Sequence, residues 1–200
     1  MLGSPVNALY KSMIADLCGS THLTVVCARF RRDPIWSLGI ISSLDMLLKN
    51  YPDIDIRDNI RSCLFKANGM DESEVRAEAE TVASWAKGKS RAEIESALKG
   101  EGGGPVATTA VATSGDEFWM YSRYFGLGLV KMMEGVGIEQ NADDTYPVME
   151  EWMGKCLGKP HYTACVSTSF VGVSCCHPYL IQIVSHFHGN QLQVLTLPSS

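Results

Sequence analysis

Arg32-Asp33-Pro34-Ile35-Trp36-Ser37-Leu38-Gly39 is the stretch that decides the fold of this chain. Asp33 is a favourable N-cap because its carboxylate can accept hydrogen bonds from the open N–H groups of a first helical turn. Pro34 suits the first helical position, where its fixed φ helps and its missing N–H costs nothing. Apolar residues then recur at helical spacing: Leu38, Ile41, Leu44, Leu47 and Leu48. The stretch therefore predicts a helix over residues 34–50 that buries an apolar face and needs other helices to cover it.

Capping residues and apolar periodicity predict about six to seven helices in one all-α domain over residues 1–158. The other predicted helices cover residues 4–21, residues 56–67 capped by Asp55, a stretch from Asp71, a stretch from Ser90, residues 117–134 capped by Asp116, and a stretch near Pro147. Residues 100–115 are rich in Gly, Ala and Thr and are predicted to form a flexible loop. Residues 23–30 are interpreted as a helix end or linker, since no second strand candidate lies nearby.

Two details of these helices concern their surroundings. Gly126 and Gly128 lie inside the sixth predicted helix, where each costs about 1 kcal/mol relative to Ala. Close approach by another helix is the expected compensation. The acidic residues of the fourth helix are interpreted mainly as a solvated face with capping roles: Asp71, Glu72, Glu74, Glu78 and Glu80.

The charge is distributed unevenly along the 200 residues. The formal net charge is −5, and no basic cluster exceeds Arg29, Arg31 and Arg32, which argues against nucleic acid as a partner. All 17 basic and 22 acidic side chains lie at or before Lys159, while four of the five histidines follow it. Residues 159–200 are therefore interpreted as a separate tail, which is expected to be irregular or to arise from a misread gene end.

Targeting and membrane signals are weak in this sequence. Residues 1–10 lack the basic and apolar regions of a secretory signal, and Arg is absent before position 29, unlike in a transit peptide. Residues 170–187 are apolar but lack the length and purity of a membrane span. Seven cysteines with irregular spacing indicate reduced thiols rather than a disulfide framework.

The tail carries residue types that could serve metal binding or catalysis. Its possible ligands are Cys165, Cys175, Cys176, His177, His186 and His188. The spacings that zinc sites favour are missing, so Cys175, Cys176 and His177 are only weak metal candidates. A Cys/His pair is not enough for catalysis, because no oxyanion donor or orienting acid accompanies it. The sequence thus predicts no enzyme and no cofactor.

The aromatic run Phe118-Trp119-Met120-Tyr121-Ser122-Arg123-Tyr124-Phe125 stands out within the sixth predicted helix. An aromatic stripe at helical spacing is usually part of a core. Here the aromatic residues fall on every side of the helix, so not all of them can face one core. Exposed aromatic side chains next to Arg123 would suit a protein–protein contact.

Two stretches, supported by a third, resemble a known family. Residues 30–40 (FRRDPIWSLGI) resemble the Tyr-Asp-Pro-(Ile/Val)-Phe-Ala-Leu-Gly motif of the Thylakoid Formation family, also called the photosystem II biogenesis protein family. Residues 121–129 (YSRYFGLGL) resemble its Tyr-Ser-Arg-Phe-Phe-Ala-Val-Gly-Leu motif, and residues 5–10 fit the opening of its first helix. The resemblance covers about residues 4–140. The motif positions taken as candidate interaction residues are Asp33, Pro34, Trp36, Tyr121, Ser122, Arg123, Tyr124 and Phe125.

The resemblance implies an all-α, non-enzymatic accessory factor in thylakoid biogenesis and in photosystem II assembly or repair. Its implied partners are thylakoid membrane-protein complexes, namely photosystem II and the membrane protease that removes damaged subunits. The resemblance is also compatible with a peripheral position at the membrane. The implied location is a plastid, with the transit peptide absent from this sequence, or a cyanobacterial cell. A metal-binding protein that uses the Cys/His tail and a generic helical adaptor are the alternatives.

Three departures from the family pattern are visible. Arg32 replaces the tyrosine of the first motif, and the glycine-rich region 100–115 stands where relatives are more charged. Relatives continue into a long, charged helix where this chain has its uncharged tail. A misread gene end is favoured over a new domain as the explanation of the tail, because 41 residues without formal charge are unusual for a soluble surface.

Overall fold

The computed structural model describes residues 5–168, with side-chain surroundings over residues 5–165. Within this part of the chain all regular structure is helical, which confirms the predicted all-α class. The elements are α1 (Ala8–Val25), α2 (Pro34–Leu47), α3 (Ile54–Ala67), α4 (Glu72–Ala86), α5 (Arg91–Leu98), α6 (Pro105–Gly115), α7 (Arg123–Gly135), α8 (Ala142–Met149), a π-helix (Glu150–Cys156) and α9 (Tyr162–Thr168). The described region is thus divided into more helices than the six to seven predicted.

Helix α2 lies at the centre of the bundle and packs mainly against α7 and α4. The predicted start is confirmed, because Asp33 accepts a 2.9 Å hydrogen bond from the Trp36 N–H and Pro34 occupies the first turn. Its buried residues cover most of its circumference rather than one face: Ile35, Trp36, Ser37, Leu38, Gly39, Ile40, Ile41, Ser43 and Leu44. Burial of this kind is typical of a core helix surrounded by partners.

The backbones of α2 and α7 touch at two glycines. A Cβ atom on Gly39 would overlap the carbonyl oxygen of Tyr124 and would lie 2.7 Å from the backbone nitrogen of Gly128. A Cβ atom on Gly128 would overlap the carbonyl oxygen of Ile35. Each glycine thus makes room for the opposite backbone, and the close approach expected as compensation for Gly128 is confirmed.

Helix α6 contradicts the prediction of a flexible loop over residues 100–115. Residues 105–115 are helical, with Pro105 in the first turn. Val106, Ala107 and Ala110 are buried where the helix packs against α5, α2 and α4. The low charge of this region therefore reflects burial and not flexibility. The glycine-rich signal belongs only to the preceding turn, in which Gly104 has a φ of 125°.

The sixth predicted helix starts later than expected. Asp116 does not cap it, since α7 begins at Arg123 and the Ser122 side chain accepts the capping hydrogen bond from the Phe125 N–H. Asp116 instead follows the last residue of α6 and accepts a hydrogen bond from the Phe118 N–H at the beginning of the loop to α7. The two possible caps are six positions apart, and packing of α7 on α2 decides between them.

Other boundaries differ by a few residues. Helix α1 is capped by Asn7 and continues to Val25, α3 is capped by Asp53 rather than Asp55, and Pro147 lies inside α8. The predicted caps Asp71 and Ser90 are confirmed, the second as a full capping box with Glu93.

Regular structure continues past residue 158. Helix α9 packs against α7 and α8, and its Ala164 is fully buried. The proposed domain boundary at residue 158 stays a prediction, and residues 169–200 lie outside the described part of the chain.

Replacing either crossing glycine with alanine should destabilise the fold. Each of the substitutions Gly39→Ala and Gly128→Ala forces a methyl group onto opposing backbone, which cannot rotate away as a side chain can. We expect each to lower the free energy of unfolding by about 3 kcal/mol in urea denaturation.

Gly19→Ala is the matched control, because a Cβ atom at this position in α1 meets nothing within 4 Å. There the substitution should raise the free energy of unfolding by up to about 1 kcal/mol through helix propensity. A similar response of all three variants would contradict the close approach of α2 and α7.

Candidate functional site

The two stretches that carry the family resemblance meet where α2 packs against α7. We call this contact the motif crossing and define it by Asp33, Trp36, Gly39, Tyr124 and Gly128. The Trp36 and Tyr124 rings pack edge to face with their centroids 5.8 Å apart. Two motifs that are far apart in the sequence therefore form one structural unit.

Asp33 caps α2 in a half-buried position. Burial raises the pKa of its carboxyl group to about 7, against the lowering effect of the hydrogen bonds from the Trp36 and Ile35 N–H groups. The nearby Glu78 carboxylate adds to the rise. Asp33 is therefore a group whose charge changes near neutral pH while it holds the start of the central helix.

Glu78 on α4 connects that helix to the start of α2. Its Oε2 accepts a 2.6 Å hydrogen bond from the Ser37 hydroxyl, and its Oε1 lies 2.9 Å from an Arg32 guanidinium nitrogen. Arg32 also reaches Glu74 at 3.3 Å. Glu78 is thus an exception to the interpretation of these acidic residues as mainly a solvated face with capping roles. Because Ser37 is fully buried, its hydroxyl is out of reach of a substrate, and the contact joins two helices.

Tyr124 connects the motif crossing to α1. Its hydroxyl lies 3.0 Å from the Thr21 hydroxyl in a buried hydrogen bond, and both residues are almost fully buried. The Phe30 ring packs edge-on against Trp36, with centroids 5.1 Å apart. Trp36 is 1% exposed, and its indole N–H has no hydrogen-bond partner among residues 5–165. The aromatic residues of both motifs thus hold α1, α2 and α7 together.

The aromatic run of residues 118–125 divides between core and surface. Tyr124 and Phe125 are each 1% exposed, so the expectation of an exposed aromatic patch is wrong for these two residues. Tyr121 is half-buried, and the exposed Arg123 guanidinium lies over the Tyr124 ring at 6.0 Å. The division arises because residues 117–122 precede α7 and do not follow its helical spacing.

Phe118 is the exposed aromatic side chain of the run, and it contacts a residue near the end of α1 that the sequence analysis did not connect with it. Phe118 is 63% exposed and lies under the Arg29 guanidinium, 5.6 Å from its ring centroid. We call this group the tip and define it by Leu23, Val26, Arg29, Arg31 and Phe118. The chain separates Phe118 widely from the other four residues, so only the folded structure could reveal the contact between Arg29 and Phe118.

The weak metal candidates Cys175, Cys176 and His177 lie outside the described residues. Over residues 5–168 no group of three or more His, Cys, Asp or Glu residues is placed to hold a metal ion. Cys18, Cys27, Cys63 and Cys156 are free thiols. No helix of the same region has the length and apolar character needed to cross a membrane.

A family model described as "Thylakoid formation protein" matches residues 1–166. Protein Thf1 of Rippkaea orientalis is 34% identical over 134 residues, which are 64% of this chain and 57% of that protein. Protein THYLAKOID FORMATION 1, chloroplastic, of Arabidopsis thaliana is 26% identical over 132 residues, which are 65% of this chain and 44% of that protein. The chain therefore spans about half the length of the curated relatives it matches.

A solved structure of Psb29 has the same fold. It superposes with a TM-score of 0.74 and covers 95% of this chain and 86% of its own, at 20% sequence identity. At this identity the likeness concerns the fold alone.

The raised pKa of Asp33 should make stability fall between about pH 4 and pH 7. In this range the folded state holds the proton and the unfolded state releases it, so folding is favoured at the acidic end. Asp33→Asn keeps a capping side chain and removes the titration. Relative to the wild type, the substituted protein should therefore gain up to about 4 kcal/mol of stability as the pH rises from 4 to 7. Urea midpoints across this range measure the difference, and a constant difference would contradict the assignment.

The buried hydrogen bond between Tyr124 and Thr21 should be measurable by a double-mutant cycle. Tyr124→Phe and Thr21→Val each remove one hydroxyl with little change of shape, and each should cost about 1 kcal/mol. The double variant should cost little more than either single variant, because one interaction is lost in all three. Additive losses would show that the two hydroxyls do not interact in solution.

Proposed function

The chain belongs to the thylakoid formation protein family, and we propose that it is a non-enzymatic accessory factor in thylakoid biogenesis and in the assembly or repair of photosystem II. The proposal rests on the family match over residues 1–166. The motif crossing supports it, since the residues that resemble the family motifs hold the helices together and do not line a reaction centre. In this view a rigid helical module that binds other proteins carries out the role of the family.

The proposed partners are thylakoid membrane-protein complexes, with photosystem II and its membrane protease as the first candidates. Plant relatives carry "chloroplastic" in their names. We accordingly propose a plastid location, or a thylakoid-associated location if the chain is cyanobacterial. A protein that meets its partners at the membrane surface needs exposed contact residues, and these must be sought outside the buried motif crossing.

Arg123 is the motif residue best placed for such a contact. It is exposed at the start of α7, while its neighbours Ser122 and Tyr124 are buried. Its guanidinium rests on the Tyr124 ring, which restricts its position and leaves its N–H donors available to a carboxylate of a partner. Trp36, Tyr124 and Phe125 then act indirectly by fixing the helix that presents Arg123.

Affinity purification from a photosynthetic host tests the proposal. The tagged chain should co-purify with photosystem II subunits or with the membrane protease from detergent-solubilised thylakoids. Arg123→Glu should reduce this recovery about tenfold or more, because it replaces an attractive charge in the contact with a repulsive one.

Lys131→Glu is the matched control, since Lys131 is an exposed basic residue of the same helix that pairs with Glu134. This variant should recover the complexes as the wild type does. Recovery of no thylakoid complex by the wild type would favour a generic adaptor, and equal losses in both variants would remove Arg123 from the contact.

A further inference from the structure

The tip combines large apolar side chains that stand out from the surface. Leu23 is 73% exposed, Val26 is 59% exposed and Phe118 is 63% exposed. Leu23 and Val26 are one turn apart at the end of α1, and Arg29, three residues after Val26, lies over the Phe118 ring. This contact connects the exposed end of α1 to Phe118. Apolar side chains grouped in this way usually mark a place of interaction.

The same surface carries positive charge in a chain that is acidic overall. The Arg29 guanidinium lies over the Phe118 ring, and Arg31 donates hydrogen bonds to the carbonyl oxygens of Ala28 and Phe30. Neither arginine forms a salt bridge with the side chains that the structure describes. Asp116 and Glu117 precede Phe118, and the Lys159 ammonium group donates to the carbonyl oxygen of Asp116.

The tip is built on fixed backbone. Leu23 is in the last turn of α1, and Val26 continues that turn through a 3.0 Å hydrogen bond from its N–H to the His22 carbonyl oxygen. Their spacing of three residues places both side chains on one side of the helix. The Phe30 ring anchors the following residues to the core through Trp36. The exposed side chains are therefore presented by a structure that binding does not have to order.

We propose that the tip binds the surface of an anionic lipid bilayer. Leu23, Val26 and Phe118 enter the boundary between headgroups and acyl chains, and Arg29 and Arg31 bind the phosphate or sulfonate groups above it. Aliphatic and aromatic side chains flanked by arginines suit this boundary, which is apolar on one side and negatively charged on the other. A purely acidic protein segment would pair with the arginines but would leave the three exposed apolar side chains in water.

Vesicle sedimentation with the full chain tests the proposal. The wild type should bind vesicles of phosphatidylglycerol and phosphatidylcholine, should bind pure phosphatidylcholine weakly, and should dissociate at high salt. Arg29→Glu/Arg31→Glu should lower the partition coefficient about tenfold or more, because each cation near an anionic surface contributes roughly fivefold in affinity. Leu23→Ser/Phe118→Ser should lower it comparably through the loss of apolar burial.

Val111→Ser on α6 is the matched control, since Val111 is 60% exposed and lies outside the tip. It should bind vesicles as the wild type does. Hydrogen exchange on the wild type should show slower exchange of residues 22–31 and 116–120 when vesicles are added. Circular dichroism melting confirms that each variant is folded.

Absence of binding, equal binding to neutral vesicles, or full binding by both tip variants would overturn the proposal. It would also be overturned if the wild type bound an acidic protein partner but no vesicles, and if the tip variants did not bind that partner. The vesicles contain no protein, so the result does not depend on the proposed function. Arg123→Glu should retain vesicle binding, which separates the failure of one proposal from the failure of the other.

Discussion

The close approach of α2 and α7 is the constraint on which the rest of the structure depends. At Gly39 and Gly128 each backbone occupies the space where the other helix would carry a side chain. This brings the start of α7 against the first turns of α2, so that the Tyr124 ring meets Trp36 and its hydroxyl reaches Thr21 on α1. Helix α4 then closes the other side of α2. One close contact therefore sets the position of three neighbouring helices.

The start of α2 concentrates the polar groups of this centre. Asp33 caps the helix, Ser37 donates to Glu78, and Arg32 pairs with Glu74 and Glu78. Arg32 stands at the position that holds a tyrosine in the motif it resembles. In this chain the arginine forms ion pairs with Glu74 and Glu78 and so connects the start of α2 to α4. Ser37 is fully buried, and a buried hydroxyl is stable only when it has a partner, so its hydrogen bond to Glu78 makes the register of α4 against α2 specific.

The aromatic residues of both motifs lie in the core, so their role is structural. Aromatic residues in a motif that resembles a family motif suggest a binding surface. Trp36, Tyr124 and Phe125 are nevertheless almost fully buried. We therefore assign contact with the proposed partners to exposed residues that the buried ones position. Arg123 at the start of α7 and the tip around Arg29 and Phe118 are two such surfaces, and they suit different partners. In our proposals the first binds a protein and the second binds a lipid bilayer.

The sequence by itself determined the helical class, the central helix and its cap, and the membership in a family, because these depend on local patterns. Asp33 and Ser90 act through hydrogen bonds within a few residues, and Pro34 acts through its fixed φ, so their roles can be read from spacing. Only the tertiary structure decided that residues 105–115 are helical, that α7 is capped by Ser122 and not by Asp116, and that Glu78 faces Ser37. Each of these depends on what another helix covers, and no local signal carries that information. The same reason explains why the tip could not be found in the sequence, since Arg29 and Phe118 are brought together only by the helices between them.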